Sequence, residues 1–177
     1  MKKWKDWIIW FVVGVGIIAQ FVLSLFFFYN WAGLDALLYI GWAVWVPSLV
    51  LGWMPILVFR RGAGVQKGEG YIHTTVLVDN GIYAVVRHPQ YLSMILLSLA
   101  LILISQHWLV AVIGVVAMVA VYLCMREEDG RLIEKFGDDY VRYIYDVPRA
   151  NILVGLVRLV RRGARQHSGE GGSPDAY

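Results

Sequence analysis

From Trp7 to Tyr29 the chain runs 23 residues without a charged side chain, just after Lys2, Lys3 and Lys5. At a rise of about 1.5 Å per residue such a run reaches roughly 34 Å, enough to cross the ~30 Å hydrocarbon core of a bilayer. In that medium every backbone N–H and C=O must be satisfied within the segment, which leaves the helix as its fold. A cleaved signal peptide would have an apolar core of about 7 to 15 residues and a small-residue cleavage site, and neither is present.

Three further blocks repeat the signal. Ala36 to Phe59 is 24 residues long and holds Pro47 and Pro55, which remove backbone donors and predict kinks. Tyr91 to Ser105 and Trp108 to Cys124 are separated only by Gln106 and His107, a connection so short that it predicts an antiparallel hairpin. With 59% apolar and only 16% charged residues against about a quarter in soluble domains, the chain reads as an all-α integral membrane protein with four transmembrane helices. The last two form a short hairpin: 15 residues reach roughly 22 Å, so their inner ends are expected at or below the membrane surface. The lone Cys124 excludes a disulfide framework within the chain and a cysteine zinc cluster.

Four crossings place the N-terminus, residues 60–90 and everything after Cys124 on one side. All 16 Lys and Arg residues fall there, which makes that side cytoplasmic, with both termini on it. After Cys124, Leu132, Ile133, Phe136, Tyr140, Tyr143 and Ile144 share one helical face opposite Glu134, Lys135, Asp138, Asp139 and Arg142, the pattern of an interfacial helix ended by Val147-Pro148. Ile152 to Arg165 places Arg158, Arg161, Arg162 and Arg165 at i, i+3, i+4 and i+7, a basic stripe suited to lying on anionic lipid. The chain therefore divides into two N-terminal transmembrane helices (1–59), a part holding the cytosolic loop, hairpin and interfacial helix (60–149), and a basic amphipathic helix with a tail (150–177).

Two polar constellations meet through the hairpin. Gly81-Ile82-Tyr83 and Arg87-His88-Pro89-Gln90-Tyr91 stand at the cytoplasmic entrance of the third helix, and Arg126-Glu127-Glu128-Asp129 at the exit of the fourth. Singly, each is an anchor, a cap or a solvated charge. Together they set cations against anions at the membrane surface, as a zwitterionic ligand requires. The four His at 73, 88, 107 and 167 lack metal spacing, so no metal is expected, and nothing points to nucleic acid.

The run Leu77-Val78-x-x-Gly81-x-Tyr83-x-x-x-Arg87-His88-Pro89-x-Tyr91, the hairpin, and then Glu128-Asp129-x-x-Leu132-x-x-x-Phe136-Gly137-x-x-Tyr140-x-x-Tyr143-x-x-x-Val147-Pro148-Arg149 resembles the isoprenylcysteine carboxyl methyltransferase and phospholipid methyltransferase family. The resemblance covers roughly residues 75 to 149. It implies an S-adenosylmethionine-dependent enzyme whose cofactor pocket is closed by the interfacial helices. A lipophilic or lipidated acceptor would enter from the bilayer. Carried onto this chain, it implies cofactor contacts at Val78, Gly81, Tyr83, Arg87, His88, Pro89, Tyr91, Glu127, Glu128 and Tyr140, with Glu128 and Arg126 as catalytic candidates. The family's Glu-Glu pair aligns with Glu128-Asp129, and the preceding Glu127 leaves the register open by one residue. Where the prenylcysteine branch has an arginine one turn earlier, Cys124 stands here, and Arg126 is the substitute.

Isoprenylcysteine carboxyl methylation is thus the first acceptor reading, and phospholipid amine N-methylation is the alternative. The sterol reductases are similar in the same C-terminal region but use NADPH, so a membrane reductase is the competing enzyme class, beside a non-catalytic membrane protein. Transport is disfavoured because no ionisable residue interrupts the interior of the four blocks.

Overall fold

The computed structural model describes residues 2–62, 77 and 79–169. Among these residues six α-helices follow one another: α1 (Lys2–Val22), α2 (Asp35–Gly62), α3 (Pro89–Ser105), α4 (Trp108–Phe136), α5 (Asp138–Asp146) and α6 (Ile152–Gly169). A five-residue π-helical turn, Leu23–Phe27, extends α1, and a short 3₁₀ turn, Gly81–Ala84, precedes α3. No strand occurs among the described residues.

Among the described residues, three helices are long and apolar enough to cross a membrane, over Trp7–Phe27, Asp35–Pro55 and Trp108–Phe136, which marks an integral membrane protein. The fourth apolar helix, α3, has 17 residues and reaches roughly 26 Å. Helix α2 continues through both Pro47 and Pro55.

The expectation that the fourth helix ends at Cys124, with a separate helix around Leu132 to Ile144, is corrected. Helix α4 is one piece of 29 residues, roughly 43 Å, and carries its charged turn Arg126–Asp129 well past the apolar part. Leaving an apolar medium does not end a helix. Residues 125–136 are mostly strong helix formers without proline, and the stop comes at Gly137, whose φ of +58° disfavours any residue with a Cβ. The break also splits the expected interfacial face: Ile133 remains exposed, while Tyr140 and Tyr143 on α5 are buried with Val147 against Leu77, Leu132, Phe136 and Ile144.

Small residues bring the apolar helices together, as they do where lipid supplies no hydrophobic drive between helices. Gly41 and Gly52 of α2 face α3 so closely that an added Cβ would lie 2.8 Å from Ile104 Cγ1 and 2.9 Å from Ser93 Oγ. Between them the hydroxyls of Ser48 and Ser93 each donate to the other's backbone carbonyl, at 3.0 and 2.8 Å. Buried Gln20 of α1 donates to the carbonyls of Ser98 (3.4 Å) and Val110 (3.3 Å), and a Cβ on Gly114 would overlap its amide nitrogen.

At the end away from the charged turn, the α1–α2 connection clasps the α3–α4 connection. Gln106, at φ +58°, donates to Asn30 Oδ1 (2.7 Å) and the Leu34 carbonyl (2.9 Å) while accepting from Leu34 N–H (3.0 Å). Asn30 N–H and Trp31 N–H donate to the carbonyls of Ile104 and Ser105, and His107 stacks on Phe28 at 3.8 Å.

Candidate active site

At the opposite end, four segments converge on one carboxylate. Asp129 lies on the turn of α4 that projects beyond the apolar stretch, and its Oδ1 accepts from Arg87 Nη1 (3.0 Å), His88 Nε2 (2.7 Å) and the Tyr140 hydroxyl (2.7 Å). Its Oδ2 accepts from Arg149 Nε at 2.7 Å. Four donors on two oxygens require the ionised, acceptor-only form. Asp129, Arg87 and His88 are buried, with side chains 5 to 7% exposed, so the cluster is an interior one.

The backbone builds the same junction. Pro89 sits in the first turn of α3, where its missing N–H leaves nothing unsatisfied, and His88 precedes it. Arg87 N–H and His88 N–H donate to the carbonyls of Pro148 and Arg149 (3.1 and 3.2 Å), which lays the segment after α5 alongside the entrance to α3. Arg149 also stands over the Tyr122 ring, 5.8 Å from its centroid. The Tyr143 hydroxyl donates to the Tyr83 carbonyl at 2.6 Å, tying α5 to the turn that starts with Gly81 at φ +59°. Burial pushes the phenols of Tyr83, Tyr140 and Tyr143 up, and in Tyr140 the bond to Asp129 adds to it. All three therefore stay protonated throughout the physiological range, as the donating hydroxyls of Tyr140 and Tyr143 require.

Of the candidate cofactor and catalytic residues, Arg87, His88 and Tyr140 meet on Asp129, which the sequence placed in the acidic constellation and the motif but not among those candidates. Tyr91 lies against His88, ring edge to face at 5.5 Å, and Pro89 is buried beside it. Gly81 and Tyr83 form the neighbouring turn. Glu128 is paired instead to Arg131 at 3.1 Å, with its side chain 33% exposed, and its charge acts on Tyr91. Arg126 and Glu127 are exposed on α4. Val78 lies outside the described residues. Asp129 and Arg149 are what the sequence reading missed as site residues, although both stand in the motif.

Next to the cluster, a cleft of about 470 Å³ is lined by Leu77, Asp79, Phe136, Asp139, Arg142, Tyr143, Asp146 and Arg162. It combines three carboxylates, two guanidinium groups and two aromatic rings. No group of three or more His, Cys, Asp or Glu side chains that could hold a metal ion occurs among the described residues.

Residues 63–139 match the model of the phospholipid methyltransferase family. The match covers this segment and not the whole chain. It spans the Gly81 turn, α3 and α4, and so takes in Arg87, His88 and Asp129, whereas Tyr140, Arg149 and α6 lie beyond it. The phospholipid methyltransferase match implies a membrane methyltransferase. No curated protein and no solved structure matches the chain.

Proposed function

We propose that the protein transfers the methyl group of S-adenosylmethionine to a lipophilic acceptor at the cytoplasmic membrane surface, and the family match over residues 63–139 is the observation that carries this reading. The cleft beside the Asp129 cluster supports it chemically. S-adenosylmethionine bears a sulfonium, an ammonium and a carboxylate, and supplies an electrophilic methyl carbon when bound. Asp79, Asp139 and Asp146 with the rings of Phe136 and Tyr143 suit the two cations, and Arg142 with Arg162 suits the anion.

The chain's own task is then positioning and exclusion of water, with no covalent nucleophile. Arg87, His88, Tyr140 and Arg149 act through Asp129: they fix α5, and with it the Tyr143 and Phe136 wall of the cleft, against the Gly81–Ala84 turn. The candidacy of Glu128 and Arg126 for catalysis, and of Val78, Tyr91, Glu127 and Glu128 for the cofactor, rests on the resemblance in the motif. For the acceptor, the family match supports a phospholipid amine, and Cys124 at the prenylcysteine branch's arginine position counts against the carboxylate of a lipidated cysteine.

The test is incubation of the purified protein with methyl-labelled S-adenosylmethionine and total lipid extract, followed by identification of the labelled product. Label in an N-methylated phospholipid is the expected result, and label in a carboxyl ester of a lipidated cysteine would move the acceptor class. Absence of any labelled lipid, in protein that binds neither cofactor nor lipid, would overturn the reading. Turnover is also expected to rise with acceptor chain length, since each CH₂ withdrawn from water contributes about 0.8 kcal/mol to partition into the site.

The same reading places both termini and the Asp129 cluster in the cytoplasm. Leu34 and Trp108 are 53% and 71% exposed at the far end. Cysteines placed there, in a Cys124→Ser background, are expected to react with an impermeant reagent from outside only. Labelling from the cytoplasmic side would reverse the orientation.

A further inference from the structure

Helix α6 lies beyond the family segment, and the methyl-transfer reading uses only one of its residues. It nevertheless docks closely on the site: a Cβ on Gly155 would overlap the Val85 carbonyl, just after the Gly81–Ala84 turn. Three of its arginines then converge. Arg158, Arg161 and Arg162 line a second cleft of about 320 Å³ together with Tyr145 and Asp146. Asp146 and Arg162 also line the larger cleft, so the two adjoin.

Three guanidinium groups against one carboxylate make the second cleft a place for an anion. Structural duties use only part of their donors. Arg158 Nη1 donates to the Tyr145 carbonyl (2.8 Å) and Arg162 Nη2 to the Ala84 carbonyl (2.8 Å), out of five N–H donors on each guanidinium. Arg162 Nε is buried without a partner. Away from the arginines, Leu153, Val157 and Val160 follow at i, i+4 and i+7 and are 76, 52 and 71% exposed, a stripe that fits the acyl boundary of a bilayer. With that stripe in lipid, the guanidinium groups stand at the level of the headgroups.

We propose that Arg158, Arg161 and Arg162 form a subsite for the phosphodiester of a membrane phospholipid, seated beside the cleft assigned to the methyl donor. The assignment of a lipid as acceptor rests on the proposed function; the anion subsite rests on the arginine geometry alone. Planar guanidinium groups hold phosphate oxygens in pairs, and the apolar stripe selects a phosphate that carries acyl chains over a free one.

The test uses the full-length protein in nonionic detergent and reads lipid retention by native mass spectrometry. A phosphatidylethanolamine and a diacylglycerol with the same chains are the probes. The wild type is expected to retain the phospholipid in clear preference. Arg158→Gln with Arg161→Gln is expected to lower that retention by about tenfold or more while diacylglycerol retention is unchanged. Arg161→Gln alone, at an exposed position, is expected to show a smaller loss in the same direction and guards against misfolding of the double variant. Arg161→Lys should recover part of it. In the methylation assay the same variants are expected to raise the lipid KM and to leave the KM for S-adenosylmethionine where it was.

Phospholipid retention at the wild-type level in the double variant would overturn the subsite. Displacement of the lipid by millimolar inorganic phosphate would overturn the commitment to a lipid source. Loss of retention in the variants, together with no methylated product from any lipid, supports the subsite and removes the methyl-transfer reading instead.

Discussion

Asp129→Ala is expected to destabilise the protein by about 3–5 kcal/mol and to abolish methyl transfer, because it leaves two guanidinium groups and a histidine at a buried junction without their anion. Arg87 is 6% exposed and its Nε already has no partner, so water cannot replace the lost carboxylate there. Asp129→Asn keeps the shape but sets an amide N–H against donors, and it is expected to fail almost as badly. Glu128→Gln provides the contrast. Its pair with Arg131 is 33 and 47% exposed, in the range where surface ion pairs contribute about 0 to 1 kcal/mol. Thermal unfolding in detergent should rank wild type and Glu128→Gln close together and both Asp129 variants far below. Equal melting of Asp129→Ala and Glu128→Gln would show that the cluster does not hold this end of the molecule.

That contrast also marks how far the sequence could be read. The apolar blocks, the α3–α4 connection through Gln106 and His107, and the encounter of Arg87 and His88 with the acidic turn follow from charge placement and chain reversal alone. Which of three consecutive acids turns inward does not. Neighbours on a helix differ by about 100° in direction, and the choice among Glu127, Glu128 and Asp129 is made by Tyr140 and Arg149, which arrive from 11 and 20 residues downstream. The length of α4 was hidden for a different reason. Hydropathy reports the medium, and it changes at Cys124, whereas the backbone continues as helix to Phe136 because nothing before Gly137 interrupts it. Phe136-Gly137, an apolar residue followed by glycine, was the available sign of the stop.

Replacement of Gly155 by Val is expected to detach α6 from the Gly81–Ala84 turn, because the new side chain would collide with backbone at Val85 and neither helix nor turn can yield without moving the other. The contact of Arg162 with the Ala84 carbonyl would be lost with it. Hydrogen exchange is expected to rise across α6 and residues 81–86 while the amides of α1 to α4 stay protected, and lipid methylation should fall at least about tenfold. Gly130→Ala is the control on α4. No atom lies within 4 Å of its Cβ position, and alanine in place of a mid-helix glycine favours the helix by about 0.5–1 kcal/mol. Unchanged exchange in the Gly155 variant would show that α6 docks by other contacts.

The clasp around Gln106 has a mechanical consequence for lipid access. With Gln106, Asn30, Leu34 and the backbone of residues 104–105 joined by hydrogen bonds, α1 and α2 are pinned to α3 and α4 at the far end. The bundle is then tied at one end like a clothes-peg at its spring, with the reciprocal Ser48–Ser93 bonds as a second tie between α2 and α3. A small rotation about that pivot displaces most the end some 25 Å away, beside Tyr91 and Asp129, and hardly moves the clasped end. Under the proposed orientation and function, an acyl chain would slide in from the inner leaflet with its head already at the cleft, and the acceptor would not need to flip across the bilayer.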